Sequence, residues 1–387
     1  MGFKANKNVI ILSLAFLFIF LGFGSVQQYV TVFFSDMGKA NVGFWSLILI
    51  YGFFGLFNPM AATFIPKYGA KVSMIVGSIF YSLYIFALLN KSILIVYVSS
   101  ALLGIGASLL WMGQNSYIIR MSDRKDYGKN SGMFFNLNSI GPVIGVILLG
   151  YLIKEYSFNI PFLVYAILSL IGFFLLFKLK KLKDYKSENK FKLIKKAIKS
   201  KLLLSFSTIW IVVNLLFALS IGMIPIEIKN RLGIEYIGLL ASAVFLIPVI
   251  FSYFFGNLSD KIGRKPMIVS IYIITLLTLI LLYVNKSNLV LIFGAILLSL
   301  GHSVTRIINS PLIGDLSNKK NLESLAALFW VVQDLSIVIF LMLNSFIKTN
   351  LIYLIFIAIL VICLLIILPL FKYSLEELRL KISKEIK

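Results

Sequence analysis

The sequence predicts an all-α integral membrane protein whose twelve transmembrane helices form two pseudo-symmetric six-helix bundles. Of its 387 residues, 60% are hydrophobic and 13% are charged, and the mean hydropathy is +0.97. Such a composition leaves too little polar surface for a water-soluble globule. Fourteen of the fifteen acidic residues, and every basic residue except Arg306, fall between apolar runs or at their ends. The chain also repeats polar features at a fixed offset of 194 residues, which indicates a duplicated half.

The apolar runs set the predicted membrane spans, in chain order. They cover residues 8–33, 42–65, 72–89, 93–119, 129–153, 159–178, 202–226, 237–256, 266–285, 289–314, 325–347 and 351–371. Each is about as long as a hydrocarbon core of ~30 Å requires. The first run is too long for the core of a signal peptide and no small-residue cleavage site follows it, so we expect it to remain as a transmembrane helix.

The distribution of lysine and arginine predicts the orientation. The even-numbered connections and both termini carry 29 basic residues, whereas the odd-numbered connections carry seven. Those seven are Lys39, Lys91, Lys154, Lys229, Arg231, Lys286 and Lys348. By the positive-inside rule, both termini are cytoplasmic in a multi-pass protein of the plasma membrane. The net charge of +22 then reflects topology and contact with anionic lipid headgroups, and no nucleic-acid partner is expected.

A lysine-rich segment divides the spans six and six. Residues 178–201 hold eleven lysines against Asp184 and Glu188, a pattern typical of a cytoplasmic linker that is partly an amphipathic surface helix. The predicted units are a bundle over 1–178, a linker over 179–201, a second bundle over 202–371 and a cytoplasmic tail over 372–387. Two such bundles, related by a pseudo-two-fold axis along the membrane normal, enclose a central cavity.

Residues Gly256 to Lys265 read G-N-L-S-D-K-I-G-R-K between two apolar runs. Their charges are costly in hydrocarbon, so the segment is predicted to be a short polar turn at the membrane surface. The pattern resembles the signature loop of the major facilitator superfamily of secondary transporters. That resemblance implies the twelve-helix fold and a gating role for one set of residues. They are Gly256, Asp260, Lys261, Gly263, Arg264 and Lys265, with Gly69 and Lys71 in the repeat copy.

The repeat copy of this loop is degenerate. Residues Ala62 to Lys71 read A-T-F-I-P-K-Y-G-A-K, with Pro66 at the position equivalent to Asp260. In the superfamily the aspartate caps a helix and pairs with basic groups, which holds one access state closed, and proline can do neither. The resemblance therefore implies that the cytoplasmic latch depends mainly on Asp260 and Arg264. A loop that only sets topology is the alternative.

The first half carries a finer resemblance. Its segments are G-F-W-S-L from Gly43, K-Y-G-A-K from Lys67, and L-L-G-I-G-A-S-L-L-W-M-G-Q-N-S-Y from Leu102. They resemble the "uncoordinated" or Unc-like branch of the superfamily, whose animal members are ion-channel regulators or receptor-trafficking chaperones. Asn115 stands where that branch usually has glycine. No branch-specific motif is visible in the second half, so this resemblance is not used to assign a substrate or a role.

Three ionisable residues lie inside predicted spans: His302 and Arg306 in the tenth, and Asp334 in the eleventh. Intramembrane charge is costly and points towards the protein interior. The spacing places His302, Arg306 and Asn309 on one helix face, and Trp330, Gln333 and Asp334 on one face of the next span. With ~1.5 Å rise per residue, Arg306 falls roughly 5 Å in depth from Asp334. These faces are predicted to meet at a solute and ion site.

Two interpretations of this group remain open. In the first, Asp334 exchanges a proton or meets a cationic solute while Arg306 alternates between Asp334 and the solute, which links binding to protonation. In the second, Arg306 and Asp334 form a permanent neutral pair that locks two helices, and His302 is a satisfied core residue. A lone arginine favours a solute with an anionic group, whereas a permanent pair leaves a neutral or amphiphilic one.

The first half offers neutral polar candidates for the same cavity. They are Gln28, Trp111, Gln114, Asn115 and Asn138. Trp111 and Asn115 are four residues apart, near the depth of the residues equivalent to them in the repeat, and are predicted to supply an aromatic wall and an amide clamp. The alternative is that these side chains join helices as structural hydrogen-bonding groups.

Counting residues excludes several chemistries. His302 and Cys363 are the one histidine and the one cysteine, too few for a zinc, haem or iron–sulfur centre, so neither metal nor cofactor is expected. No Walker glycine loop and no nucleophile with a paired base is visible, so the protein is not predicted to be an enzyme. The sequence favours a monomeric, proton-coupled secondary transporter of a small organic solute. The alternative is a transporter-like scaffold that regulates or chaperones another membrane protein.

Overall fold

The computed structural model describes residues 7–90, 92–182, 190–221, 224, 227, 231–232, 235–284, 287–318, 321–347 and 350–386. The helices are α1 Lys7–Asp36, α2 Ala40–Tyr68, α3 Ala70–Asn90, α4 Ile93–Met121, α5 Tyr127–Tyr156, α6 Asn159–Leu176, α7 Lys190–Lys199, α8 Lys201–Ile221, α9 Glu235–Ile262, α10 Arg264–Val284, α11 Asn288–Leu316, α12 Leu322–Phe346, α13 Leu351–Ile367 and α14 Leu375–Ile386. Short 3₁₀ turns cover Arg124–Asp126 and Leu368–Lys372. The described residues contain no strand.

Eleven of these helices are long and apolar enough to cross a membrane, by length and composition, within the described part of the chain. They correspond to every predicted span except 237–256. That span coincides with α9, in which several side chains lie outside the described residues. Most helices run past the predicted ends, as α4 does to Met121 and α11 to Leu316. Hydropathy detects the ~30 Å hydrocarbon core, whereas helical hydrogen bonding continues into the headgroup region.

The repeat at 194 residues is also present as matching local geometry. Gly69 and Gly263 both have positive φ, at 91° and 86°, a conformation that favours glycine because a Cβ would be strained there. Lys71 Nζ donates to the carbonyl oxygen of Phe177 at 2.7 Å, and Lys265 Nζ donates to that of Phe371. Each partner lies 194 residues after its counterpart, so the two halves close the ends of their helices in the same way.

The basic linker and the C-terminal residues form helices on one face of the molecule. Helix α7 packs on α12, α2 and α14, and Ser200 Oγ donates to Glu385 Oε2 of α14. Helix α14 buries Leu378 and Ile382 and packs on α11. We call the side that contains α7, α14 and residues 256–265 the linker face. This is the side predicted to be cytoplasmic.

Helix α14 begins with a reciprocal cap. Ser374 Oγ accepts from the backbone N–H of Glu377 at 3.1 Å, and Glu377 Oε2 accepts from the N–H of Ser374 at 2.7 Å. This capping box satisfies two donors that a helix start leaves unpaired. The hydrogen bonds from Ser374 hold the pKa of the Glu377 carboxyl below its usual value. The cap fixes where α14 starts beside the signature loop.

The two halves touch most closely where α5 crosses α9. A Cβ added to Gly256 would overlap the carbonyl oxygen of Gly128, and one added to Gly128 would overlap that of Gly256. Two glycines therefore allow backbone contact between the halves near the linker face. Helices α2 and α12 form the second extensive contact between the halves.

Replacing Gly256 with alanine is expected to push α5 and α9 apart. Backbone atoms cannot move aside as a flexible side chain can, so the cost should be about 1–3 kcal/mol of stability, seen as a lower midpoint of thermal unfolding in detergent. Gly52→Ala is the matched control, because a Cβ on Gly52 of α2 meets nothing within 4 Å. It should be neutral or stabilising by up to about 1 kcal/mol. Equal stability of the two variants would contradict the close contact.

Candidate functional site

A central cavity of about 140 Å³ lies between the two halves. Helices α1 to α5 contribute its wall on one side, and α8, α11 and α12 on the other. Rings dominate the lining: Phe20, Phe23, Tyr51, Phe54, Tyr81, Trp111, Phe135, Phe217, His302 and Trp330. Polar groups come from Gln27, Gln28, Asn214, Asn309, Ser310, Gln333 and Asp334. An apolar pocket with a few converging polar groups is the usual form of a small-molecule site.

Asp334 of α12 is fully buried on this wall. Asn58 of α2 donates from Nδ2 to Asp334 Oδ2 at 2.8 Å, so the carboxyl group is bonded across the contact between the halves. Its other oxygen, Oδ1, has no hydrogen-bond partner within the described residues. A carboxylate buried in an apolar wall is costly in its charged form unless a cation or further hydrogen-bond donors accompany it. The group is therefore suited to taking up a proton or a cation.

Gly55 explains how α12 comes close enough for this bond. A Cβ on Gly55 would lie 3.1 Å from the Cβ of Asp334, and Gly55 is one turn from Asn58 on α2. Asn58 is a polar residue inside the predicted span 42–65, and the sequence does not identify its partner. An asparagine in such a run indicates an interior position, but the helix it faces depends on how the two helices are rotated.

Aromatic contacts join the halves around the cavity. The rings of Trp111 and Trp330 stack with centroids 6.1 Å apart, and Tyr51 meets Phe217 edge-on at 5.9 Å. Within the second half, the His302 ring stacks on Phe217 at 5.4 Å. These pairs leave flat ring faces along the cavity, which favour planar ligands.

The structure places most of the predicted binding residues on this wall. Those that line the cavity are Gln28, Trp111, His302, Asn309, Trp330, Gln333 and Asp334. The backbone of Arg306 belongs to α11, but its side chain lies outside the described residues. The predicted bond between Arg306 and Asp334 therefore stays a prediction, as does the function of every residue in this set.

Three predicted residues, Gln114, Asn115 and Asn138, are buried but do not line the cavity. On α4 the cavity row is Leu103, Ala107 and Trp111, and Asn115 continues that row one turn nearer the linker face. The repeat predicted the depth of Trp111 and Asn115, and of these two only Trp111 lines the cavity. Trp111 is the last α4 residue on the wall, so Gln114 and Asn115 fall outside it, and on α5 the lining residue is Phe135 rather than Asn138.

The signature loop binds the first half through Asp260. Its carboxylate accepts backbone N–H groups of Gly128 at 3.1 Å and Lys129 at 2.9 Å, at the start of α5. Arg264 contacts Asp260 at 2.8 Å and, through Nε, Asp315 Oδ2 at 2.8 Å. A carboxylate at a helix N-terminus is stabilised by the unpaired N–H groups and the helix dipole. We call this group, Asp260 with Arg264, the loop latch.

The other signature residues have simpler surroundings. Lys261 and Gly263 are exposed, Lys265 binds Phe371 O, and Gly69 and Lys71 repeat that geometry in the first half. Their positions at helix ends account for their residue types, and their role in gating stays a prediction.

A second contact between the halves on the linker face was missed in the sequence. Glu323, in the first turn of α12, is fully buried and pairs with Arg120 of α4. Glu323 Oε1 also accepts from Ser116 Oγ at 2.9 Å. We call this group, Arg120 with Ser116 and Glu323, the buried clasp. Both charges sit at the ends of predicted spans, so they were interpreted as boundary charges.

The two contacts compensate for the degenerate repeat. Pro66, equivalent to Asp260, has no side chain that can accept a hydrogen bond. In its place a carboxylate of the second half, Glu323, meets a guanidinium of the first. The linker face is thus closed by the hydrogen bonds from the Asp260 carboxylate to the start of α5 and by the ion pair between Arg120 and Glu323.

Replacing Asp260 with asparagine is expected to weaken the loop latch. The amide retains one acceptor for the α5 N–H groups but loses its charge, at a cost of about 1–2 kcal/mol, or about tenfold in the closed-to-open ratio. A cysteine at Ser310 on the cavity wall, in a Cys363→Ser background, should then react faster with a polar thiol reagent from the linker face. Glu155→Gln, an exposed carboxylate at the far end of α5, is the control. Unchanged labelling in Asp260→Asn would contradict the latch.

Family models match two overlapping regions of the chain. The model described as "Ion channel regulatory protein UNC-93" matches residues 35–289, and that of the Major Facilitator Superfamily matches residues 211–385. The first covers more than half of the chain. The chain belongs to the UNC-93 family. The all-α major facilitator fold is thereby confirmed. The resemblance of the first half to this branch is confirmed, and the UNC-93 match extends beyond that half, to residue 289.

Individual relatives agree with this assignment. The chain is 31% identical to "UNC93-like protein MFSD11" of Xenopus tropicalis over 180 residues, which are 44% of this chain and 40% of that protein. It is 27% identical to "Putative potassium channel regulatory protein unc-93" of Caenorhabditis elegans over 164 residues, 38% and 22% of the two chains. The match thus spans well under half the length of these UNC-93 relatives.

A longer match is more distant. "Uncharacterized MFS-type transporter MJ1560" of Methanocaldococcus jannaschii is 23% identical over 327 residues, 78% of this chain and 81% of that protein. His302 and Asp334 lie beyond the end of the UNC-93 match and inside the Major Facilitator match. The cavity is therefore built from both matched regions.

Proposed function

We propose that this UNC-93 family member is a secondary active transporter that moves a small organic solute across the cytoplasmic membrane by alternating access, driven by protons. The observation that carries the proposal is the buried carboxyl group of Asp334. It lies on the wall of a cavity between the halves and is bonded to Asn58 of the opposite half. We place the protein in the plasma membrane as a monomer, with both termini cytoplasmic and basic loops against anionic lipid.

The chemistry of Asp334 supports proton coupling. The Asn58 amide can donate to the carboxyl group in either protonation state, so proton uptake changes the charge without removing the bond. Release of the proton into a water-filled cavity is favourable, whereas release into a closed, dry cavity is not. The protonation of Asp334 is thereby linked to which side of the membrane the cavity faces.

The contacts on the linker face support alternating access. The loop latch and the buried clasp both join the halves on that side, and both must break for the cavity to open there. Contacts of charged groups across the halves, formed in one state and replaced by water in the other, provide the two stable arrangements that a rocking transporter requires.

The transport proposal is tested with purified protein in sealed liposomes that contain a pH-sensitive dye. A panel of organic amines, acids and neutral solutes is added in turn. We expect at least one solute to change the internal pH, and a proton ionophore to abolish the change. Absence of a solute-dependent pH change across the panel, in protein that remains folded, would contradict proton-coupled transport.

A regulatory scaffold is the second candidate function. It is favoured by membership of a family described as ion channel regulatory and by the C. elegans relative named as a potassium channel regulator. A scaffold would co-purify with a defined membrane partner in a stoichiometric complex after mild solubilisation. Flux in liposomes without such a partner would count against this function.

A further inference from the structure

One face of α12 presents unpaired polar atoms on the cavity wall. Trp330 Nε1, Gln333 Oε1 and Asp334 Oδ1 are buried and have no hydrogen-bond partner within the described residues, and all three residues line the cavity. Buried polar groups are normally paired, and each exception calls for a ligand or water. This group offers two acceptors and one donor, so its acceptors require a ligand that donates N–H or O–H groups.

The charge of the described wall selects among such ligands. With His302 counted as neutral, Asp334 is the one formally charged side chain that the described lining contains. A cation that brings its own donors would pair with the carboxylate and satisfy Gln333 in the same step. An anion would instead have to approach a buried carboxylate.

The rings select the body of the ligand. Trp111 and Trp330 lie 6.1 Å apart with planes 29° from parallel, and Phe54 meets Trp330 at 5.7 Å. Such faces bind flat rings and stabilise an adjacent cation. A volume of about 140 Å³ is close to that of engineered cavities of about 150 Å³ that hold benzene. One ring with a short arm fits this space.

We propose that the cavity binds a small aromatic amine in its protonated form. Its ring lies against Trp111 and Trp330, and its ammonium group donates to Asp334 Oδ1 and Gln333 Oε1. The assignment names the solute class of the proposed transporter and rests on that function only for the claim that the ligand is transported. It differs from the anionic solute that Arg306 had favoured in the sequence, because the unpaired atoms on this wall are mainly acceptors.

The test compares three one-ring probes on purified protein in detergent at pH 7. They are 2-phenylethylamine, 2-phenylethanol and phenylacetate, which share a ring and differ in charge. Binding is measured by calorimetry and by the shift in thermal unfolding. We expect saturable binding of the amine at least about tenfold tighter than that of the alcohol, equivalent to about 1.4 kcal/mol, and no binding of the acid at the same concentrations.

Variants test whether residues of the cavity wall cause the preference for the amine over the alcohol. Asp334→Asn should bring amine affinity down to that of the alcohol, whereas Glu155→Gln should leave it unchanged. Equal or tighter binding of phenylacetate, no saturable binding of the amine, or an amine preference that survives in Asp334→Asn would each overturn the proposal. If Asp334→Asn does not fold, Gln333→Leu replaces it, and a weakened amine preference is expected there as well.

The binding test separates this proposal from the transport proposal, because it needs no gradient. Selective amine binding without solute-driven pH change would overturn transport and leave the ligand class standing. Proton-coupled flux of an organic acid, with no amine binding, would support transport and overturn the ligand class.

Discussion

Asp334→Asn protein is expected to fold with undiminished stability and to lose solute-driven proton movement. Asparagine has nearly the same shape as aspartate, and its amide oxygen can still accept the hydrogen bond from Asn58. Replacing a buried ionisable group with a neutral one also removes the cost of burying charge. The variant cannot bind or release a proton, so the pH change in liposomes should fall to the level of protein-free liposomes.

This combination separates the two interpretations of Asp334. If the carboxylate belonged to a permanent pair with Arg306, removing one partner would leave an unpaired buried charge and lower stability by about 3–5 kcal/mol. Thermal unfolding and flux are therefore measured on the same preparation, with Glu155→Gln as the control. Full flux in Asp334→Asn would remove this residue from the coupling mechanism.

Glu323→Gln is expected to open the linker face more strongly than Asp260→Asn. Glu323 is fully buried and Arg120 is 10% exposed, so glutamine would remove the carboxylate charge that contacts a nearly buried guanidinium. Breaking such a pair costs about 3–5 kcal/mol, which changes the closed-to-open ratio about a hundredfold or more. Arg264 also contacts Asp315, so it keeps a counter-charge when Asp260 becomes neutral, and the loop latch loses less free energy.

The Ser310→Cys reporter measures this difference as a labelling rate from the linker face. Arg120→Gln alone should have an effect similar to that of Glu323→Gln. The double variant should change the rate by much less than the product of the two single effects, because each single variant already removes the attraction between the two charges. Independent, multiplicative effects would show that the two side chains do not act as a pair.

The membrane fold could be predicted because its determinants are local. Apolar runs of about 20 residues, with charges at their ends, follow from the energy of placing a peptide in hydrocarbon, and each span can be recognised by itself. The repeat could also be recognised in the sequence, because Lys71 and Lys265 are 194 residues apart. In the structure the two side chains make equivalent contacts with backbone carbonyl groups. The helical periodicity was enough to predict that Trp330, Gln333 and Asp334 share one helix face, because the pitch of a helix determines which of its side chains are neighbours.

Contacts between helices could not be predicted in this way. Asn58 and Asp334 are 276 positions apart, and Arg120 and Glu323 are 203 apart. Which face of one span meets which face of another depends on helix rotation, tilt and small residues such as Gly55, none of which leaves a periodic pattern. Gln114 and Asn115 show the same limit, since a shift of one turn decided that they do not reach the cavity.

The amino-acid sequence by itself determined that this chain crosses a membrane many times, in two related halves, with few ionisable groups inside. Only the tertiary structure decided that the carboxyl group of Asp334 binds Asn58 of the opposite half, and that Arg120 and Glu323 close the linker face beside Asp260. The physical reason is the range of the forces involved. Hydrophobic partitioning acts on each segment separately, whereas a hydrogen bond or ion pair exists only when two particular atoms are brought within about 3 Å.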